Sequence, residues 1–169
     1  MTTKIAFYQS PVGVLEIRVD DEFITHILFK DEASTRSSSN HALLKAVVEQ
    51  LQQYFKGERK IFDLPLKQSG SDFQQRVWNE LEKIPFGKTI SYFDLSKKNG
   101  DVKAIRAAAS TNGKNNIAIV VPCHRVIGSD GSLTGYAGGL WRKQWLLDHE
   151  RNIVSKQQIF FSFQEGINF

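Results

Sequence analysis

Cysteine is almost missing from this chain: 169 residues hold one, Cys123, and methionine is equally rare. A lone thiol closes no internal disulfide and builds no cysteine-rich zinc site, so the reducing cytoplasm is the expected compartment. Histidine is scarce as well. His26, His41, His124 and His149 show no metal-ligand spacing, and neither a metal nor a cofactor is expected. No apolar run approaches the roughly 20 residues of a membrane span, which argues against a membrane partner. The start, "MTTKIAFYQSPVG", lacks the charged-then-apolar layout of a secretion signal. Neither an internal repeat nor a low-complexity segment is present.

What is there is the composition of a globular domain, with 41% hydrophobic and 24% charged residues. The formal net charge is +4 and the sequence pI about 9.2. That balance suits a polyanionic partner but does not by itself identify one.

The order of patterns predicts an α+β fold: a small N-terminal sheet-and-helix lobe, then a mainly helical C-terminal lobe. "KIAFYQS", "VLEIRVD" and "EFITHILFK" read as three strands, broken by "PVG" and "DD". The polar "DEASTRSSSNH" reads as a loop. In "ALLKAVVEQLQQYFKG", Leu43, Leu44, Val47, Val48, Leu51 and Phe55 share a helical face, and Gly57 closes the helix. "IFDLPLKQSG" is expected to be extended. The expected boundaries are a first lobe over 1–67, a second domain over 68–152 and a tail over 153–169.

In the second lobe, Ser71 and Gln74 form a capping box for a helix whose inner face is Phe73, Val77, Leu81 and Ile84. Ser91 and Asp94 form another ahead of "YFDLSKK". Asn99-Gly100 ends that helix, and Asp101 caps "VKAIRAAASTN". Two short helices joined by a tight turn have the layout of a helix-turn-helix. The second sets one arginine, Arg106, among very small residues, whereas a helix reading base edges usually carries several polar ones. The pattern therefore admits two readings: a bare helix pressed close to a duplex, or a tightly packed helix with a surface arginine.

Cys123 follows "KNNIAIVV", expected to be a short buried strand ended by Pro122. Isolated cysteines are more often inert apolar residues than nucleophiles. Here His124 follows directly. Adjacent extended side chains point to opposite faces, so a bridging water suits proton transfer between them better than direct contact. Such a base needs an orienting carboxylate, and Asp148 and Glu150 end the amphipathic "GGLWRKQWLLDHE". A thiol–water–imidazole–carboxylate relay would raise the thiolate fraction.

"PCHRV", preceded by "KNNIAIVV" and followed by "GYAGGLWRKQWLLDHE", resembles the O6-alkylguanine-DNA alkyltransferases, as do "PFGKTISY" and "KAIRAAASTNG". The resemblance runs from about Phe73 to Glu150 and is loose before that. It implies direct repair of double-stranded DNA. The thiolate takes the alkyl group from O6 of a guanine flipped out through the minor groove, or less efficiently from O4 of thymine. Each molecule acts once, as a monomer.

Position by position, the resemblance makes Cys123 the alkyl acceptor, His124 the water-mediated base and Glu150 its orienting carboxylate. Asn115 ties the helix-turn-helix to the active-site strand. Tyr92 contacts the flipped base and helps neutralise the leaving guanine, with Lys143 beside it. Main-chain groups near Cys123, Val126 and Ala137 read the guanine edge, and Tyr136 lines the pocket. Arg106 fills the vacated stack, with Ala107 and Ala109 on the helix that enters the groove.

Several positions depart from common family patterns. Asn116 stands where proline is frequent, and Ala118 and Ala137 lack the proline or serine of some relatives. Pocket width and adduct preference are therefore open. The first lobe lacks the cysteine and histidine set with which some relatives bind zinc. The rival functions are a damage sensor without chemistry, a helix-turn-helix regulator and a thiol protease. In the tail "RNIVSKQQIFFSFQEGINF", the apolar "IFFSF" is expected to pack back on the body, with an interaction motif as the alternative.

Overall fold

A meander opens the chain, and its tight first turn has a visible cause. Ser10 Oγ accepts from Val12 N and donates to Gly13 O, while Gly13 takes a positive φ of 99°. The computed structural model describes residues 2–33 and 40–164, so most of the polar loop before the first helix lies outside the described residues. Strands β1 (Lys4–Ser10), β2 (Gly13–Val19) and β3 (Ile24–Lys30) pair antiparallel in the order β1-β2-β3. Helix α1 (Ala42–Phe55) covers one face, burying Leu44, Val47, Leu51 and Tyr54 against Leu15, Ile17 and Ile27. Tyr54, three residues after Leu51, takes the place expected of Phe55, which is half-buried.

The outer edge of β3 decides how the lobes meet. An unpaired edge leaves N–H and C=O groups to satisfy. The extended linker after α1 takes one section, through Ile24 N to Pro65 O and Lys67 N to Ile24 O, at 2.8 and 2.9 Å. The segment leading to Cys123 takes the next, through Ile27 N to Asn116 O and Ala118 N to Ile27 O, at 2.8 and 3.0 Å. The first lobe therefore holds the approach to the thiol by backbone bonds.

Helix α2 (Asp72–Glu82) begins with the full Ser71–Gln74 capping box. Its inner face is Val77, Trp78 and Leu81, continued by Ile84, and Phe73 is only half-buried. Strand β4 (Ile90–Ser91) leads into α3 (Tyr92–Lys98), where Ser91 Oγ accepts from Asp94 N. After Gly100 (φ 92°) and a 3-10 turn over Val102–Ala104 capped by Asp101, α4 runs Ile105–Gly113. Helices α2, α3 and α4 pack together, and Trp78 Nε1 donates to Thr111 O.

Two expectations fail. Residues 114–121 do not form a strand but a buried reversal. Val120 N reaches Ala118 O, Val121 N reaches Ile117 O, and Ile119 adopts φ 72°, a left-handed conformation that β-branched residues rarely take. A short apolar run signals burial without fixing its geometry. Cys123 accordingly lies not at a strand end but in a 3-10 turn, Cys123–Arg125, before β5 (Val126–Ile127), which pairs parallel with β4.

The second concerns the tail, which continues α5 (Leu140–Gln164) instead of folding back. Ile153 and Val154 pack beside Gly57 and Gly87, and Gln157 bonds Lys60. Beyond Gln157, seven further residues at 1.5 Å each carry the helix about 10 Å onward. Ile159, Phe160, Phe161 and Phe163 are exposed there, Phe163 by 73%. Among the described residues, no helix is long and apolar enough to cross a membrane.

Candidate active site

Cys123 is 7% exposed, at the wall of a cavity of about 190 Å³ shared with Phe29, Asn112, Asn115, Tyr136 and Ala137. Asn112, Gly113, Gly135 and Tyr136 also line a shallower depression that includes Tyr92, Ile105, Arg106 and Ala109. The thiol cavity thus adjoins the surface of α4. On that helix Ala108 is fully buried, Ala109 half-buried, and Arg106 and Ala107 exposed.

Burial pushes the Cys123 thiol above its ordinary pKa, opposed by the bond from Asn115 and by the charge of Lys143. Asn115 Nδ2 lies 3.2 Å from Sγ and also donates to Val121 O at 2.8 Å. Asn112 Nδ2 donates to Cys123 O at 3.2 Å.

The imidazole of His124 is fully buried, with Nε2 2.8 Å from Glu150 Oε1. A carboxylate only accepts, so Nε2 carries the proton and Nδ1 keeps its lone pair. Nδ1 has no hydrogen-bond partner among the described residues. Burial lowers the His124 pKa and Glu150 opposes this, while Arg125 and Lys143 lower it further. The ring is thereby a neutral base.

Glu150 is the most heavily bonded side chain of the site. Besides His124 it accepts from Arg125 Nε (2.9 Å) and Nη2 (2.8 Å), from Tyr54 OH (2.8 Å) and from Gly87 N (3.1 Å). Burial alone would raise its pKa, but the hydrogen bond from His124 and the hydrogen bonds and charge of Arg125 overcome this and hold it well below the carboxylate range. Tyr54 is held far above the usual phenol value by burial and by Glu150, so it remains a donor. Asp148, the other candidate carboxylate, pairs instead with Arg151.

Lys143 is fully buried, with Nζ 3.3 Å from both Tyr92 OH and Thr134 O. Tyr92 OH in turn donates to Thr134 O at 3.0 Å. Among the described residues no carboxylate pairs with Lys143, and its positive charge acts on the Cys123 thiol. Tyr136 lies beside the thiol with its hydroxyl buried and without a hydrogen-bond partner among the described residues. Val126 is fully buried in β5 and is not among the cavity's wall residues, whereas Ala137 is exposed at its rim.

Sequence reasoning missed Tyr54, Arg125, Asn112 and Gln68. Tyr54 had a signal, since it continues the spacing of Leu44, Val47 and Leu51. Arg125 stands inside the quoted motif, which assigns it no role. No pattern marks Gln68, whose contacts depend on how the linker lies against the reversal. No group of His, Cys, Asp and Glu that could hold a metal occurs among the described residues.

Two family models match the chain, both described as 6-O-methylguanine DNA methyltransferase. The ribonuclease-like domain matches residues 3–68 and the DNA binding domain residues 72–152. The chain is 47% identical over 146 residues to the methylated-DNA–protein-cysteine methyltransferase of Mycolicibacterium paratuberculosis, spanning 84% of this chain and 88% of that one. To the constitutive methylated-DNA–protein-cysteine methyltransferase of Bacillus subtilis it is 43% identical over 152 residues, covering 85% and 92%. The fold is similar to that of Mycobacterium tuberculosis O6-methylguanine methyltransferase, with TM-score 0.81 and 39% identity over 89% and 94% of the two chains. The same organism's OGT in complex with DNA gives 0.80 and 42%, covering 87% and 92%. With both lobes matched, the chain belongs to the 6-O-methylguanine DNA methyltransferase family, the methylated-DNA–protein-cysteine methyltransferases.

Proposed function

We propose that this protein repairs alkylated DNA directly, taking the alkyl group from O6 of guanine onto Cys123. The observation that carries this reading is a thiol in a cavity adjoining the α4 surface, with a neutral buried base next to it in sequence. Buried Lys143 supplies the positive charge, and the family membership of the chain supports the same reading.

The step balances without a cofactor. His124 takes the thiol proton through a water, leaving a thiolate whose charge Asn115 and Lys143 offset. Sulfur attacks the alkyl carbon in line, the S–C bond forms and the C–O6 bond breaks. The electron pair goes to the purine, where proton return restores guanine. Tyr92, its hydroxyl beside Lys143 Nζ, helps neutralise that anion. The thioether is not regenerated, so each molecule reacts once.

A base stacked in a duplex cannot reach a buried thiol, so the target nucleotide is read as flipped. Helix α4, with Ala107 and Ala109 presenting almost no bulk, enters the minor groove, and Arg106 replaces the lost stacking. Val126 acts through main chain only, and Ala137 through its N–H at the rim. The same site accepts O4-alkylthymine less efficiently. The protein works as a monomer in the cytoplasm, where its thiol stays reduced, and residues 68–152 form the DNA-binding and catalytic domain.

Peptide mass spectrometry after incubation with O6-methylguanine duplex tests this. One added methyl on the Cys123 peptide is expected; an unmodified peptide from folded protein would favour the damage-sensor function instead.

A further inference from the structure

Gln68 belongs to the linker between the lobes and is not part of the cavity wall. Its side-chain amide makes two bonds to consecutive residues of the reversal that carries the thiol. Nε2 donates to Asn115 Oδ1 at 3.0 Å, and Oε1 accepts from Asn116 N at 2.8 Å. The linker is itself tethered on both sides of this contact. Gln75 Nε2 of α2 donates to Gln68 O, and Lys67 N donates to Ile24 O of β3.

An asparagine side chain can present either end of its amide to a neighbour, and here the two ends have opposite effects. With Nδ2 toward Cys123, Asn115 donates to the sulfur and favours a thiolate. Turned over, it would aim a carbonyl oxygen at that developing charge. Its present orientation is held at Oδ1 by two donors, Ile117 N and Gln68 Nε2, each at 3.0 Å. Donation to Oδ1 also polarises the amide and strengthens Nδ2–H as a donor, since hydrogen bonds in a chain reinforce one another. The Asn116 N–H, which a proline at this position would lack, is what fixes the other end of Gln68.

We propose that Gln68 is a positioning residue for the reacting sulfur, fixing through Asn115 which end of that amide faces Cys123. The proposal deepens the alkyl-transfer reading and takes its importance from it. Its test uses no DNA, so the two can fail separately. The other ionisable groups that act on the thiol are Lys143 of α5 and Tyr136, and neither is altered by changing Gln68.

The experiment is a pH titration of the Cys123 thiolate by its ultraviolet absorbance, with Cys123→Ser protein as the blank. Gln68→Met keeps length and neutrality while removing both polar contacts, so no added charge confuses the result. Its midpoint is expected to rise by about half a unit, lowering the thiolate fraction at fixed pH about threefold. The Asn115 side-chain NH2 resonances should shift in parallel. If Gln68→Met does not fold, Gln68→Ala is read in the same way. A variant with lowered Tm, an unmoved thiolate midpoint and unchanged Asn115 resonances would make Gln68 a structural brace only and overturn the proposal.

Discussion

Tyr54 and Glu150 meet across the two lobes: the phenol of α1 donates to the carboxylate Oε1 at 2.8 Å, 96 residues along the chain, and both are fully buried. The oxygen it bonds is the one that His124 Nε2 faces. Removing the hydroxyl in Tyr54→Phe leaves Glu150 with its other donors, so the cost is one net hydrogen bond to a charged group, about 1.5–3 kcal/mol. Urea unfolding should show that loss. Alkyl transfer should slow several-fold while duplex affinity holds; unchanged stability and rate would mean that the phenol contributes nothing to holding Glu150.

Cys123→Ser should abolish transfer and leave duplex affinity within a few fold, because the sulfur lies in the cavity wall and not on the α4 surface. Gel-shift titration beside the peptide-mass assay separates the two effects. Loss of both would assign the thiol to the core.

Arg106 is exposed beside the mouth of the site. Arg106→Ala is expected to slow repair in duplex far more than reaction with free alkylguanine base, which needs no extrusion. Single-turnover rates on both substrates decide, and equal slowing of the two rejects the base-flipping role.

Acid should destabilise the fold from two directions. His124 has a folded pKa below its ordinary value of 6.5, so below that pH the unfolded chain binds a proton the folded one refuses. Glu150 has a depressed folded pKa, so its contribution is full above the ordinary value of 4.5 and is lost as pH falls through the folded value. In both ranges the unfolded state holds more protons and stability rises with pH, by up to about 1.4 kcal/mol per pH unit per proton. Denaturation midpoints measured across pH should show this slope beginning below 6.5. His124→Gln should flatten its upper part, and an unaltered slope there would mean that the imidazole is not held neutral.

Gly87 has φ 76°, its N–H donates to Glu150, and an added Cβ would lie 2.7 Å from Val154 Cγ2. Gly87→Ala should therefore cost on the order of 1–3 kcal/mol through strain and crowding. Thermal unfolding checks the cost. A matching loss of transfer rate is expected, because the turn and the relay share this residue.

The three strands, the capping box at Ser71 and the pair of helices around Gly100 could be read from the sequence because each rests on neighbours a few residues apart. The reversal at 114–121 could not. Its apolar residues announce burial, but their shape is set by the edge of β3 and by Gln68, supplied from elsewhere in the fold. The tail misled for a related reason. "IFFSF" looks like core material, yet the helix that carries it keeps its direction and runs past the body. Around the thiol, His124 and the choice between Asp148 and Glu150 could be framed from spacing. The bonds from Tyr54, Arg125 and Gln68 needed the lobes to be brought together.

The edge of β3 has a dynamic consequence. Because Ile27 bonds both Asn116 and Ala118, the first sheet cannot let go of the second lobe without also releasing the turn over the sulfur. Backbone amides at Ile27 and Ala118 should therefore exchange with deuterium at one common rate. The sheet, the reversal and the wall that carries the nucleophile would then open as one cooperative unit.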